Sequence, residues 1–98
     1  MSNENDFGRP VLWRHHYAGV LLGWVKKSDI PGHLGFDGVR IRVWRGDRID
    51  CASLAKVGPL ENDEITDRVT RDVALEGSVE IYDTTHDHVR EGIRLSCK

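Results

Sequence analysis

The chain has 98 residues, of which 39% are hydrophobic and 31% are charged, and its formal net charge is −2. This length fits one domain, because chains divide into several cores only at roughly 250 residues or more. A near-neutral total disfavours strong non-specific DNA binding, which needs many phosphate contacts. The longest apolar stretch, residues 18–25, is far shorter than the roughly 20 residues that span a bilayer. We therefore expect no membrane contact and a cytoplasmic location.

The chain begins with a polar segment, so we predict a disordered leader over residues 1–10 and a single α+β domain over residues 11–98. Branched and aromatic residues predict a strand over residues 11–17, whose alternation places Trp13 on one face and Arg14 on the other. Ala18-Gly19 predicts a tight turn into a second strand, residues 20–27. That strand is apolar on both faces, which is typical of a strand in the interior of a sheet.

The middle of the chain combines a loop signal with a strand signal. Pro31 and three glycines predict a long loop over residues 28–38. Residues 39–44 alternate between apolar and polar, so Arg40, Arg42 and Trp44 are expected on the side away from the core. This is a half-buried strand with a basic, aromatic outer face.

The second half predicts two helices and two more strands. Asp50 is a suitable N-cap for a short helix over residues 51–57, which Gly58 would end. Residues 61–67 are acidic and expected to be exposed, residues 68–75 and 78–83 predict strands, and Thr84 or Thr85 would cap a terminal helix of about two turns. The fold class that follows is α+β, with a four- to five-stranded, mainly antiparallel sheet and two short helices.

Charge is divided unevenly along the chain. Residues 9–48 carry a net charge of +5, and residues 49–98 carry −5. Either the two halves neutralise each other across neighbouring strands, or they leave a polarised surface that steers a charged partner.

Candidate metal and catalytic groups are weak in this sequence. Neither cysteine lies in a C-x-x-C pair, so no zinc ribbon is predicted, and Cys51 is expected to be a small core residue. His86 and His88, with Asp83 and Asp87 nearby, form a loose cluster that we interpret as a solvated first helical turn. Pairs such as Cys51 with a histidine, or Asp83 with His86, carry no recognisable catalytic motif. We predict no metal, no cofactor and no enzymatic activity.

Four segments, taken in order, resemble one protein family. They are Ala18-Gly19-Val20 with Gly23, the strand at residues 39–46, Ser53-Leu54-Ala55 with Gly58, and residues 73–76 leading to residues 79–82. This order is similar to that of small proteins of unassigned function encoded mainly in phage and prophage genomes. Their recurring features are an Ala-Gly-Val-x-x-Gly hairpin, an Arg-x-Ile-x-x-Trp-x-Gly strand, a Ser-Leu helix and a Val-Glu-Ile strand.

The resemblance implies an accessory role in the cytosol of a bacterial host. Small phage proteins of this kind often block a host enzyme or defence complex, so the expected function is stoichiometric inhibition of a bacterial defence complex, as in anti-CRISPR proteins. The alternative is a small module that binds a nucleotide or RNA.

The predicted binding surface is the arginine-rich strand face with its tryptophans. Arginine suits phosphates and carboxylates because its planar fork donates two parallel hydrogen bonds, and tryptophan is a natural interface anchor. The partner-binding residues that we predict are Arg14, Arg40, Arg42, Trp44, Arg45 and Trp13. The alternative, structural interpretation is that these arginines pair across the sheet with Asp72, Glu76 or Glu80.

A second candidate surface is the acidic segment with Glu61, Asp63 and Glu64. It could form the interface with a host protein in place of the basic face. A homo-oligomer is also expected to be favourable, because a short chain has a modest core and gains stability by burying more apolar surface.

Overall fold

The computed structural model describes residues 8–44 and 50–96, in which five strands and two helices follow one another. In chain order the elements are β1 (Arg9–His15), β2 (Gly19–Lys27), β3 (His33–Val43), α1 (Cys51–Val57), β4 (Glu64–Ala74), β5 (Ser78–Asp83) and α2 (His86–Ser96). The strands pair antiparallel in the order β4-β3-β2-β1-β5. The predicted α+β class, with an antiparallel sheet and two helices, is confirmed.

Several predicted boundaries agree with the structure. The β1–β2 hairpin, the interior position of β2 and the limits of β5 are as predicted, and α1 spans residues 51–57. Strand β1 begins at Arg9, two residues before its predicted start, and residues 1–7 of the predicted leader lie outside the described residues. Helix α2 has eleven residues, so it is about one turn longer than predicted.

The predicted loop over residues 28–38 is wrong in its second half. Strand β3 begins at His33 and runs for eleven residues. Gly35 and Gly38, which suggested a loop, are strand residues, and Gly38 lies directly opposite Gly23 of β2. A Cβ on Gly38 would lie 2.2 Å from the Leu22 carbonyl oxygen, so this glycine allows two backbones to approach closely. Likewise β4 begins at Glu64, so part of the predicted acidic segment is strand.

The sheet is strongly curled. Strands β4 and β5 lie at its opposite edges, yet only three residues connect them. A flat sheet would hold these edges about 19 Å apart, given about 4.8 Å between neighbouring strands. The four Cα–Cα steps from Ala74 to Ser78 reach at most about 15 Å. The sheet must therefore bend toward a partly open barrel.

His15 fastens the point where β4 passes into β5. Its ring is 5% exposed, and its Nδ1 accepts hydrogen bonds from the backbone N–H groups of Tyr17 and Ala18, each at 3.1 Å. Two donors on Nδ1 require the tautomer with the proton on Nε2, which donates to the Ala74 carbonyl at 2.8 Å. One side chain thus joins the β1–β2 turn to the end of β4.

One face of the sheet packs against the two helices. Its buried cluster includes Leu12 and Leu22 of the sheet, Leu54 of α1 and Val89 of α2. We call it the helix-covered cluster. The Asp50 side chain caps α1 by accepting from the Ser53 N–H at 2.8 Å, as predicted.

Helix α2 is capped by Thr85, one of the two predicted threonines, which accepts from the His88 N–H. The neighbouring Thr84 hydroxyl donates to the Ala55 carbonyl at 2.5 Å and accepts from the His88 ring. This chain of hydrogen bonds ties the end of α1 to the start of α2, so the two helices cover the sheet as one layer.

The other face forms the concave side of the curl. Its buried cluster, which we call the barrel cluster, contains Val11, Trp13, Ala18, Leu21, Val25, Phe36 and Val73. Trp13 is fully buried, and its indole N–H donates to the Ser78 hydroxyl at 2.7 Å. The alternation predicted for residues 11–17 is correct within β1, where Leu12 and Trp13 belong to different clusters, so both faces are core faces. The strand itself ends at His15, two residues before its predicted end, and Tyr17 lies in the turn. No helix in residues 8–44 and 50–96 is long and apolar enough to cross a membrane.

Candidate functional site

Two of the predicted binding residues meet in a cleft between β1, β5 and the start of α1. The cleft has a volume of about 390 Å³. We call it the β1–β5 cleft, and it is lined by Arg14, Val20, Trp44, Asp50, Cys51, Glu80 and Tyr82. Arg14 lies opposite Glu80 in the β1–β5 register, and Tyr82 follows two residues later on the same face. Trp44 comes just after β3 and packs against the helix-covered cluster.

Arg14 is held loosely in this cleft. Its Nη1 lies 3.8 Å from Glu80 Oε2, and the two side chains are 55% and 40% exposed. An ion pair this long and this exposed contributes little, typically about 0.2–1 kcal/mol. The guanidinium has five N–H donors, so an incoming carboxylate or phosphate could bind it without displacing a strong contact.

Two further cleft residues, Tyr82 and Cys51, have raised pKa values. A hydrogen bond with Glu80 raises the pKa of the Tyr82 phenol, which keeps its hydroxyl protonated. Burial raises the pKa of the Cys51 thiol, and the charge of Arg14 opposes this effect only partly. The thiol is therefore poorly suited to act as a nucleophile, because the thiolate is the reactive form. Cys51 is a buried core residue, as predicted.

The other predicted binding residues do not join this cleft. The prediction that Trp13 contributes to a partner-binding surface is wrong, because the side chain is fully buried in the barrel cluster. Arg40 lies opposite Leu21, on the face away from the cleft, and its buried Nε has no hydrogen-bond partner among the described residues. Arg42 lies 3.7 Å from Glu64. Arg45 lies outside the described residues.

The single basic platform is therefore divided between the two faces of the sheet. Strict alternation along residues 39–44 placed Trp44 beside Arg40 and Arg42. The chain leaves β3 after Val43, and the register against β4 shifts twice near that end, so the alternation does not extend to Trp44.

The two oppositely charged halves are interleaved by strand pairing. Arg9 Nη2 lies 2.7 Å from Asp83 Oδ1. In the same way Arg14 pairs with Glu80, and Arg42 pairs with Glu64. These pairs join the basic first half of the chain to its acidic second half, which agrees with the interpretation that the arginines have a structural role. Of the predicted partners Asp72, Glu76 and Glu80, Glu80 is the one that pairs with a predicted arginine, Arg14, among the described residues.

The alternative acidic surface is largely engaged within the fold. Glu61 pairs with Arg94 at 2.9 Å, and Glu64 lies near Arg42. Asp63 accepts a hydrogen bond from the Leu60 N–H at 2.8 Å. A partner that bound these carboxylates would have to compete with contacts that already exist.

The histidine cluster also has internal contacts. His86 Nδ1 accepts from the Trp24 indole N–H at 2.9 Å, and the His88 ring hydrogen-bonds Thr84. Asp83 pairs with Arg9. No group of three or more metal-binding side chains occurs within the part of the chain that the structure describes.

Tyr82 is a cleft residue that the sequence pattern does not identify. It was read only as part of the last strand, and its position beside Arg14 depends on β5 pairing with β1, which lie more than 60 residues apart. No local sequence pattern predicts that pairing.

Scans of protein-family models, of curated proteins and of solved structures find no match to this chain.

Proposed function

We propose that this protein acts by binding a macromolecular partner rather than by catalysis, with the β1–β5 cleft as its recognition site. The observation that carries the proposal is the meeting of Arg14 with Trp44 and Tyr82 in one cleft. Tryptophan, tyrosine and arginine are the residue types that dominate the binding energy of protein interfaces. Because Glu80 holds Arg14 only weakly, an acidic group of the partner can take its place.

The partner in this proposal is a protein complex of a bacterial host. The protein would be a phage or prophage accessory protein in the host cytosol, and a stoichiometric inhibitor of a defence complex, as anti-CRISPR proteins are. The order of motifs in the sequence, the small size of the chain and the chemistry of the cleft support this role.

A second candidate function is the binding of a nucleotide or of single-stranded RNA. Aromatic rings that stack on bases, beside an arginine that pairs with phosphate, are the usual means of such recognition. The cleft volume of about 390 Å³ lies in the range of small-molecule sites. The near-neutral net charge of −2 favours the protein partner over a long nucleic acid.

A pull-down with matched variants tests both candidates. The tagged chain, its Arg14→Glu variant and its Arg9→Glu variant are incubated with bacterial lysate, with and without nuclease, and bound material is identified by mass spectrometry. Arg9 is a suitable control because it also forms an exposed β1–β5 ion pair, but lies outside the cleft. We expect the wild-type chain to recover a host protein in stoichiometric amount, both with and without nuclease. Arg14→Glu should reduce the recovery of that protein about tenfold or more, and Arg9→Glu should leave it unchanged.

Other outcomes separate the alternatives. Recovery of only RNA or a nucleotide, again lost with Arg14→Glu, would favour the second candidate. Equal recovery with both variants would show that the cleft is not the recognition site. Circular dichroism of each variant distinguishes a lost contact from a lost fold.

A further inference from the structure

Exposed apolar side chains surround the short turn between β4 and β5. Tyr17 is 76% exposed, Leu75 43% and Val79 51%, and Ile30, at 45%, lies on the neighbouring β2–β3 loop. We call these four residues the turn patch. They are four of the seven large hydrophobic side chains that are exposed among the described residues. Several exposed apolar side chains around one turn, unlike a single exposed apolar residue, are typical of an interaction site.

The turn patch stands on a fixed backbone. The His16 N–H donates to the Gly77 carbonyl and the Leu75 N–H donates to the Gly32 carbonyl, both at 2.7 Å. These hydrogen bonds join the β4–β5 turn to the β1–β2 turn and to the β2–β3 loop. The Tyr17 ring lies directly over Gly77, where a Cβ would come within 2.7 Å of a ring carbon. Little conformational entropy is therefore lost when this surface is buried.

Unpaired charges of both signs lie beside the turn patch. Asp29 and Glu76 are the carboxylates that make no ion pair or hydrogen bond among the side chains that the structure describes. Lys27 and Arg71 are cations without such a contact in the same part of the chain. Glu76 and Arg71 line one crevice with Tyr17. Lys27 ends β2, and Asp29 lies in the following loop, which carries Ile30.

We propose that the turn patch binds a second copy of this chain in a two-fold symmetric dimer. Such an interface must be self-complementary, because the same surface contributes from both sides. An apolar centre with two unpaired negative and two unpaired positive side chains beside it meets this requirement. In the dimer, Glu76 of one copy pairs with Arg71 of the other, and the reverse pair forms across the two-fold axis.

The dimer stands independently of the proposed recognition function. The turn patch shares no residue with the β1–β5 cleft. Loss of the dimer and loss of partner capture are therefore measured separately, and either can fail without the other.

Molar mass in solution tests the dimer directly. Sedimentation equilibrium of the full chain should give twice the 11.1 kDa of one copy at high concentration, with dissociation at low concentration. Val79→Asp should weaken the dimer at least about tenfold by placing a charge in the apolar centre. Val57→Asp is the matched control, because Val57 is also 51% exposed but lies on α1.

A charge exchange tests the pairing itself. Glu76→Arg and Arg71→Glu should each remain monomeric, because each brings like charges together twice. An equal mixture of the two variants should restore the dimer, since both cross pairs become attractive. A wild-type chain that remains at 11.1 kDa up to about 1 mM would overturn the proposal. A mixture that stays monomeric would overturn the isologous arrangement.

Discussion

The two faces of this sheet are closed in different ways. The helix-covered cluster is sealed by α1 and α2, each of which has its own cap: Asp50 for α1 and Thr85 for α2. The barrel cluster has no helix over it among the described residues and is sealed by the curvature of the sheet itself. The hydrogen bonds beside it join residues far apart in sequence, such as His15 to Ala74 and Trp13 to Ser78.

The two faces therefore differ in the range of the contacts that stabilise them: helix caps are local in sequence, whereas the contacts that hold the curl are long-range. A helix cap acts over three or four residues, and its removal frays one element. A contact that holds the curl joins residues of strands that are far apart in sequence, such as His15 of β1 and Ala74 of β4, so its removal opens the face that all five strands share. We therefore expect substitutions that affect the curl to cost more stability than substitutions that affect a cap.

The largest effect is expected for Gly38→Ala. The new Cβ would lie 2.2 Å from the Leu22 carbonyl oxygen and 2.5 Å from the Gly23 Cα, and backbone atoms in the middle of a sheet cannot move aside. We expect a loss of about 3 kcal/mol or more in the free energy of unfolding, measured by chemical denaturation, or failure to fold.

Gly35→Ala is the matched control in the same strand. Among the described residues, the nearest atoms to its Cβ would be Asp72 Oδ1 and the Lys26 carbonyl oxygen, each at 3.7 Å, and its backbone does not have a positive φ. We expect this variant to change stability by less than about 1 kcal/mol. If the two variants were equally stable, the close approach of the β2 and β3 backbones at Gly38 would not require a glycine.

A smaller but still large effect is expected for His15→Leu. Leucine fills similar apolar volume but leaves the Ala18 N–H and the Ala74 carbonyl without their partner beside the barrel cluster. Buried polar groups without partners cost about 1–3 kcal/mol, so we expect a loss of about 2 kcal/mol, measured by chemical denaturation.

His16→Leu changes the adjacent, exposed residue in the same way and should have little effect. Hydrogen exchange distinguishes two causes of a loss of stability in His15→Leu, namely opening of the curl and a general packing defect. The amides of Ala18 and the β1–β2 turn should lose protection first if His15 fastens the curl. A uniform loss of protection across the sheet would instead indicate a general packing defect.

The same division explains which features could be predicted from the sequence. The cap residue Asp50, the end of α1 at Gly58 and the alternation in β1 all follow from neighbouring residues, and they are confirmed. The strand over residues 33–38 was missed because Gly35 and Gly38 are ambiguous: glycine marks a loop as readily as a close approach of strands.

The candidate site was only partly accessible to sequence reasoning. Arg14 and Trp44 were identified by residue type, yet their meeting with Tyr82 depends on the pairing of β5 with β1. Trp13 was assigned to a surface because a curled sheet with core on both faces cannot be distinguished, by period-two alternation alone, from a sheet with one wet face. Strand order at long sequence separation is the information that was missing.

The smallest effect is expected on the helix-covered side, for Asp50→Ala. The Asp50 carboxylate accepts a hydrogen bond from the Ser53 N–H, which lowers the pKa of Asp50 below its usual value of 3.8. A lowered pKa in the folded state means that the cap contributes its full stability above the usual pKa and loses it as the pH falls through the folded value.

The difference in Tm between wild type and Asp50→Ala should therefore be largest near about pH 6 and shrink steadily in more acidic solution. Asp50→Asn retains a side-chain oxygen at the cap but does not titrate, so its difference from Asp50→Ala should stay constant over the same range. Should the wild-type advantage persist unchanged well below pH 3.8, the cap would act through packing and not through the ionised carboxylate. Because α1 carries the buried Leu54, even this modest loss should appear as earlier hydrogen exchange in the helix-covered cluster than in the barrel cluster.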